Sequence, residues 1–149
     1  MKGIIAKNKK AYFNYEILEK FKAGIVLTGQ EVKSIKTKGV NLAGSYVIFK
    51  KGEVFWIGAN ILPYQEKNAP FDYNPKRDRK LLLKKTEIKY LVGKTSQKGL
   101  TLMPLMLYDE KGKLKLGFGL AKRSKKTDKR EKIKKREIEK EIKQKLSGM

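Results

Sequence analysis

The segment LTLMPLMLYDEKGKLKLGFGLA, residues 100–121, decides the fold predicted for this chain. Two strand-like runs, rich in aliphatic and aromatic residues, flank the tetrapeptide DEKG at residues 109–112, which is typical of a turn. The segment therefore predicts an antiparallel β-hairpin. Pro104 should lie at a bulge or a sheet edge, because proline has no amide proton for the ladder. The GFG run at residues 117–119 lacks the third glycine of a dinucleotide fingerprint, so its glycines are interpreted as close-approach positions within a strand.

A second hairpin is predicted nearer the N-terminus. Residues 46–49 and 54–57 are rich in aromatic and β-branched side chains, and they flank the turn-like KKGE at residues 50–53. Before them, apolar and polar residues alternate over residues 15–27, which predicts a long strand, bent near Gly24. These elements indicate five or six antiparallel strands.

Two short helices are predicted between the strands. Thr28 can cap a helix, Glu31 stands at the position that a capping box requires, and Gly39 is expected to end the helix. The second helix follows the leucine run at residues 81–83, which is either part of it or a short extended piece before a cap near Thr86.

The remaining segments predict less regular structure. Residues 1–10 read as a mobile, basic lead-in, and the aromatic residues at 12–15 either open the first strand or offer stacking faces to RNA. The segment between Pro63 and Lys80 holds three of the four prolines and should be a surface loop. The predicted fold class is mainly β, a small antiparallel β-barrel like the oligonucleotide-binding (OB) fold, with two or three short helices.

Charge points to a polyanionic partner. The chain has 149 residues and a net charge of +22. Residues 122–149 contain thirteen basic and five acidic residues, and residues 1–121 contain 24 basic and ten acidic ones, so both parts are basic. We therefore predict an RNA-binding body, residues 1–121, and a basic C-terminal tail, residues 122–149.

Several function classes are disfavoured by composition. The chain has no His and no Cys, which removes the usual general base, the common nucleophile pairs and the thiolate zinc sites. We expect no enzyme, no metal and no cofactor. No long apolar run and no signal-peptide pattern occur, which predicts a cytoplasmic protein.

Five runs in order along the chain resemble the small protein B (SmpB) family, the tmRNA-binding proteins of bacterial trans-translation. They are GIVLTGQEVKS at residues 24–34, NLAGSYV at 41–47, RKLLL at 79–83, KGLTLMPL at 98–105, and the segment from GLAK at 119–122 to DKR at 128–130.

The resemblance implies an adaptor function in ribosome rescue. The protein would bind the tRNA-like domain of tmRNA and support delivery of alanyl-tmRNA to stalled ribosomes that lack an A-site codon. It also implies contact with small-subunit rRNA near the decoding centre, insertion of the tail into the empty mRNA channel, and indirect links to elongation factor Tu and alanyl-tRNA synthetase. We expect a monomer.

The resemblance also implies site residues. Basic side chains are candidates for phosphate or 2′-OH contacts, asparagines for hydrogen bonds and tyrosines for stacking. Glu31 could instead cap a helix or pair with a cation, and Leu82 could instead support the core. The predicted tmRNA-binding residues are Asn8, Lys9, Lys10, Tyr15, Glu31, Lys33, Asn41, Tyr46, Arg79, Lys80, Leu82 and Lys122. The predicted ribosome-binding residues of the tail are Lys125, Lys126, Asp128, Lys129, Arg130, Lys134 and Arg136.

The tail is predicted to be disordered when free and helical on the ribosome. Its i,i+4 pairs of opposite charge favour a helix, but like-charge pairs oppose one and the apolar stripe is narrow. Neutralisation by rRNA would shift the balance toward the helix.

The chain departs from the family pattern at a few positions. Lys22 and Asn14 stand where acids are usual, Thr127 replaces a His or Tyr, and Arg123-Ser124 replaces Gly-Lys. Two other functions remain open from the residues alone, a ribosomal protein or general RNA chaperone, and a carboxylate-dependent nuclease.

Overall fold

The computed structural model describes residues 3–97, 99–124, 130 and 132–138. Residues 130 and 132–138, in the tail, have helical backbone. No helix among the described residues is long and apolar enough to cross a membrane. In chain order, the elements are β1 Ile4–Lys7, α1 Lys9–Asn14, β2 Tyr15–Ile25, α2 Gly29–Lys38, β3 Tyr46–Lys50, β4 Glu53–Ile57, a 3-10 turn Glu66–Asn68, β5 Arg79–Leu82, α3 Lys85–Thr95, β6 Leu100–Glu110 and β7 Lys113–Arg123.

Six of the strands form a closed antiparallel ring, in the order β6-β3-β4-β5-β2-β7, because β7 also pairs with β6. β1 adds to the outer side of β6. The longest ladders join β6 to β7 and β2 to β7, whereas β3 meets β6 at the single pair Val47 and Leu102. The mainly β, OB-like fold class predicted from the sequence is confirmed.

The hairpin of residues 100–121 forms around a two-residue turn. Lys111 and Gly112 have φ of 52° and 86°, the left-handed values of a type I′ turn. Leu105 is the extra residue of a bulge, since Pro104 pairs with Phe118 while Met106 pairs with Gly117. The bulge predicted at the proline is therefore confirmed.

Close packing of neighbouring side chains explains why residue 119, in the GFG run, is a glycine. A Cβ atom there would lie 2.9 Å from side-chain carbons of both Ile17 and Leu105. The strand interpretation of this run is confirmed.

The first predicted helix is α2, and both of its caps are as expected. The Thr28 hydroxyl accepts a hydrogen bond from the Glu31 amide at 3.2 Å, and the Glu31 carboxylate accepts one from the Thr28 amide at 2.9 Å. At the other end, Gly39 has φ of 74° and its amide donates to the Ile35 carbonyl at 2.9 Å. The second helix, α3, begins at Lys85, slightly before the predicted cap at Thr86, because Glu87 accepts from the Lys84 amide.

The prediction for residues 1–10 is wrong over the described residues. Ile4–Lys7 is strand β1, and Ile5 and Ala6 pack against the core. Asn8 then caps α1, because its side-chain oxygen accepts from the Ala11 amide at 3.1 Å. The aromatic residues at 12 and 13 consequently lie in α1, and the first long strand begins only at Tyr15.

The core lies inside the ring of strands. Trp56, Phe118 and Leu107 are fully buried there, and Ile35 of α2 and Leu91 of α3 pack against them from the helices. The leucine run at residues 81–83 is extended, so its side chains alternate between the interior and solvent. Leu81 is 2% exposed and Leu82 55% exposed, which rules out the core-support role considered for Leu82.

Candidate nucleic-acid interface

A buried network of ions lies where α2, β5 and the loop before β5 meet. Glu31, on the first turn of α2, pairs with Arg79 at 2.6 Å and with Arg77, and both Glu31 and Arg79 are at most 1% exposed. The Arg79 guanidinium also donates to the carbonyls of Ala59 and Pro75, at 2.7 and 2.9 Å. The network thereby ties Ala59, Pro75 and Arg77 to the start of α2.

Electrostatics keeps the Glu31 carboxylate charged despite its burial. Burial alone would raise the pKa of this carboxyl group. The hydrogen bonds from Arg77, from the Thr28 amide and from Arg79 outweigh burial, so the pKa lies below its ordinary value. The paired carboxylate is thus a structural anion at neutral pH.

This network overturns one predicted role. Arg79 was expected to contact phosphate, but its side chain is 0% exposed and its donors are taken by Glu31, Ala59 and Pro75. No local pattern predicts the burial of Arg79, because it stands in a basic run. Arg77, which the prediction did not single out, is the partly exposed member of the network.

Asn8 is buried as well, which rules out the predicted hydrogen bond to RNA. Its amide nitrogen donates to the Pro104 carbonyl at 2.9 Å, and its backbone amide donates to the Leu105 carbonyl at 2.8 Å. The side chain therefore holds α1 onto the bulge of β6.

The other predicted body residues are spread over three surface grooves and the surfaces around them. Tyr15 lines a groove of about 590 Å³ with Tyr12 and Lys20. Asn41 lines a second groove, of about 550 Å³, beside α2. Lys80 and Leu82 share a third, of about 590 Å³, formed by β4, β5 and the start of α3. The exposed predicted residues outside these grooves are Lys9, Lys10, Lys33, Tyr46 and Lys122.

The third groove combines lysines with exposed apolar surface. Leu82 stands between Lys80 and the pair Lys84 and Lys85, which the sequence prediction did not select. Lys80 is paired with Glu53 at 2.9 Å, with both side chains about half exposed. This arrangement can offer ammonium groups to phosphates and an aliphatic side chain to a base or ribose.

Aromatic rings lie beside several of the lysines. Lys7 and Lys20 both lie near the Tyr12 ring, with Nζ 5.4 and 5.7 Å from its centroid. Lys33 lies 5.9 Å from the Tyr64 ring. Such pairs place cations and aromatic faces next to each other, a combination common in single-stranded nucleic-acid sites.

The described part of the tail touches the body at the end of α1. The Lys132 ammonium donates to the carbonyls of Tyr12, Phe13 and Tyr15 at 3.0 to 3.3 Å, and to the Ser124 hydroxyl at 3.2 Å. A cation suits this position because a helix presents its unpaired carbonyls at the C-terminal end.

The predicted tail residues fall into two groups. Arg136 stands over the Phe13 ring, 5.4 Å from its centroid, and Arg130 and Lys134 are exposed. Lys125, Lys126, Asp128 and Lys129 lie outside the described residues.

Comparison with known proteins decides the family. The family model described as SmpB protein matches residues 5–148. The chain belongs to the SmpB family. Curated relatives named SsrA-binding protein include one from Carboxydothermus hydrogenoformans, 49% identical over 98% of this chain and 97% of the relative. Another, from Syntrophobacter fumaroxidans, is 51% identical over 93% of this chain and 86% of the relative.

A solved structure from a study of tmRNA and SmpB in the bacterial ribosome has the same fold. Its TM-score is 0.68 at 42% sequence identity, and the match covers 83% of this chain and 86% of that one. SmpB relatives and this chain thus share sequence and fold over most of their length.

One departure from the SmpB pattern has a local partner. Lys22, at a position where an acid is usual, lies on β2 with its ammonium 3.4 Å from the Glu110 carboxylate at the end of β6. Its charge is therefore partly balanced on the exposed face of the sheet. Of the other departures, Asn14 ends α1, Arg123 ends β7, and Thr127 lies outside the described residues.

Proposed function

We propose that the protein is an RNA-binding adaptor of trans-translation, which binds the tRNA-like domain of tmRNA and accompanies it to stalled bacterial ribosomes. The observation that carries the proposal is the family match over residues 5–148. The relatives are named for binding SsrA, the tmRNA. The lysine-lined grooves and the aromatic rings beside several lysines support it, because they are the groups by which proteins bind RNA.

The proposal assigns different tasks to the two parts of the chain. The body, residues 1–121, binds tmRNA and lies near the decoding centre, and the tail, residues 122–149, whose described segment is already helical, inserts into the empty mRNA channel. Elongation factor Tu and alanyl-tRNA synthetase are linked to the protein only through tmRNA. The protein acts in the bacterial cytoplasm as a monomer, and it contributes binding and not catalysis.

The geometry revises the predicted contacts with tmRNA. Lys80, Leu82, Tyr15, Asn41, Lys33, Tyr46 and the exposed lysines at 9, 10 and 122 remain candidates. Glu31, Arg79 and Asn8 are instead positioning residues, because their side chains are buried in internal hydrogen bonds.

Selective binding at high salt tests the adaptor function against a general RNA chaperone. Nonspecific binding to phosphates weakens steeply with salt, whereas selective contacts keep their preference. We expect the protein to prefer the tRNA-like domain of tmRNA over an unrelated structured RNA of equal length. The preference should hold at about 50 mM salt and at about 300 mM salt. Equal affinity for both RNAs throughout would favour the chaperone.

Deleting the tail tests the division of tasks. A chain that ends at Thr127 should bind the tRNA-like domain with unchanged affinity but should fail to support peptide tagging on stalled ribosomes. Loss of tmRNA binding in this variant would place the tail's partner on tmRNA and not on the ribosome.

A further inference from the structure

The groove beside α2 has the shape of a small-ligand site. Its volume is about 550 Å³, within the roughly 300–1,000 Å³ of protein ligand pockets. It lies between β1, the second half of α2, and the chain segments that follow α2 and β4. No acidic residue is among its lining residues, which are Ile5, Ala6, Lys7, Ser34, Lys38, Gly39, Val40, Asn41, Asn60 and Leu62.

Ser34 is the unusual member of this lining. It is 1% exposed, yet its hydroxyl has no hydrogen-bond partner among the described residues. Ser45, which is equally buried, shows the ordinary case, since its hydroxyl donates to the Leu42 carbonyl and accepts from the Trp56 indole. Because the Ser34 hydroxyl has no internal hydrogen bond to lose within the described part of the chain, it can turn toward a ligand in the adjoining groove.

The rim supplies further polar groups. The Asn41 side-chain oxygen accepts from the Ala43 amide at 3.0 Å, so its NH₂ group stays available as a donor. Lys38 donates to the Pro63 carbonyl at 2.9 Å, which holds its ammonium at the edge of the groove. Asn60 and Lys7 are exposed.

The apolar, hydrogen-bonding and basic groups of this groove together fit a nucleotide. Ile5, Val40 and Leu62 provide apolar contact for a flat base, and the amides and the hydroxyl can bond to its edge. The lysines can meet the flanking phosphates. The groove lies at the C-terminal half of α2, where the helix dipole favours the amino group of a base over a phosphate.

We propose that this groove binds one unpaired nucleotide of an RNA, with the Ser34 hydroxyl bonded to the base and the phosphates near Lys7 and Lys38. The site is separate from the groove of Lys80 and Leu82. The inference rests on the proposed tmRNA-binding function and names a subsite for it.

Two substitutions test the site with a transcribed tRNA-like domain of tmRNA as the probe. Ser34→Ala removes a hydroxyl without an internal partner, so the denaturant midpoint should not fall, whereas affinity should drop about fivefold or more, as for one lost hydrogen bond. Asn60→Ala should weaken binding similarly. The matched controls are Ser96→Ala and Asn68→Ala, which change the same residue types outside the groove and should bind as the wild type does.

Chemical probing of the RNA gives an independent measurement. Acylation of 2′-hydroxyl groups should show one nucleotide that wild-type protein shields and that becomes reactive with Ser34→Ala. Wild-type affinity and shielding in both groove variants would overturn the subsite while leaving the adaptor function intact. A lower denaturant midpoint of Ser34→Ala would also overturn it, because the hydroxyl would then have an internal role. Failure of the wild type to prefer the tRNA-like domain would instead refute the proposed function.

Discussion

Glu31 and Arg79 form a buried ion pair, with Oε2 and Nη2 2.6 Å apart and exposures of only 1% and 0%. The pair joins the first turn of α2 to the first residue of β5. Through the Arg79 hydrogen bonds to the Ala59 and Pro75 carbonyls, the two charges also hold both ends of the segment between β4 and β5.

Replacing Arg79 by Ala should destabilise the fold. The Glu31 carboxylate would stay buried with only Arg77 and the Thr28 amide to compensate it. We expect a loss of roughly 3 kcal/mol in the free energy of unfolding, measured with urea at pH 7. Lys50→Ala, which removes an exposed pair with Asp78, is the control and should lose less than about 1 kcal/mol. Equal losses would show that the buried pair contributes no more than a surface one.

Stability should fall in acid because of Glu31. Its pKa is lower in the folded protein than the ordinary value of 4.5, so the unfolded chain binds a proton more readily. The contribution is complete above the unfolded pKa and is lost as pH falls through the folded pKa. Urea unfolding between pH 3 and 7 should show Glu31→Gln less stable than wild type at pH 7, with the difference shrinking below about pH 4.5. A difference independent of pH would contradict the lowered pKa.

The lysines at the start of α3 should contribute to the salt dependence of tmRNA binding. Lys84→Ala combined with Lys85→Ala should reduce the slope of log affinity against log salt by about 0.7–0.9 for each lost phosphate contact. Lys89→Ala, an exposed lysine of the same helix outside the groove, is the matched control. An unchanged slope in the double variant would exclude these lysines as phosphate contacts.

Lys132 should stabilise the helical start of the tail. Lys132→Met keeps most of the side-chain length but removes the charge that meets the carbonyls at the end of α1. We expect weaker helical NMR chemical shifts over residues 132–138 of the free protein, and shifted amide signals of Phe13 and Tyr15. Lys134→Met, at an exposed position, should leave both unchanged. Identical spectra of wild type and Lys132→Met would mean that this contact does not hold the tail.

Local sequence signals predicted the elements whose structure is determined locally. The capping box of Thr28 and Glu31, the turn at Gly112 and the bulge at Pro104 each depend on residues adjacent in sequence, and each is confirmed. The mainly β class also followed from the alternation of apolar and polar residues and from the turn residues. That alternation specifies which side chains can share one face of a strand.

The predictions that were wrong share a different cause. β1 forms because β6 offers it a partner, and Asn8 is buried because the β6 bulge, about 96 residues away along the chain, presents a carbonyl to it. Arg79 was misassigned for the same reason, since Glu31 stands 48 residues before it. Neither a residue type nor its neighbours reveals a partner that only the folded topology supplies.

β3 and β6 share a single residue pair, so their ladder is the shortest in the ring. Strands held by long ladders exchange their amide protons only on global unfolding, whereas a short ladder can open by itself. The amide protons on the edge of β3 that faces β6 should therefore exchange with solvent before those of the β2–β7 and β6–β7 ladders.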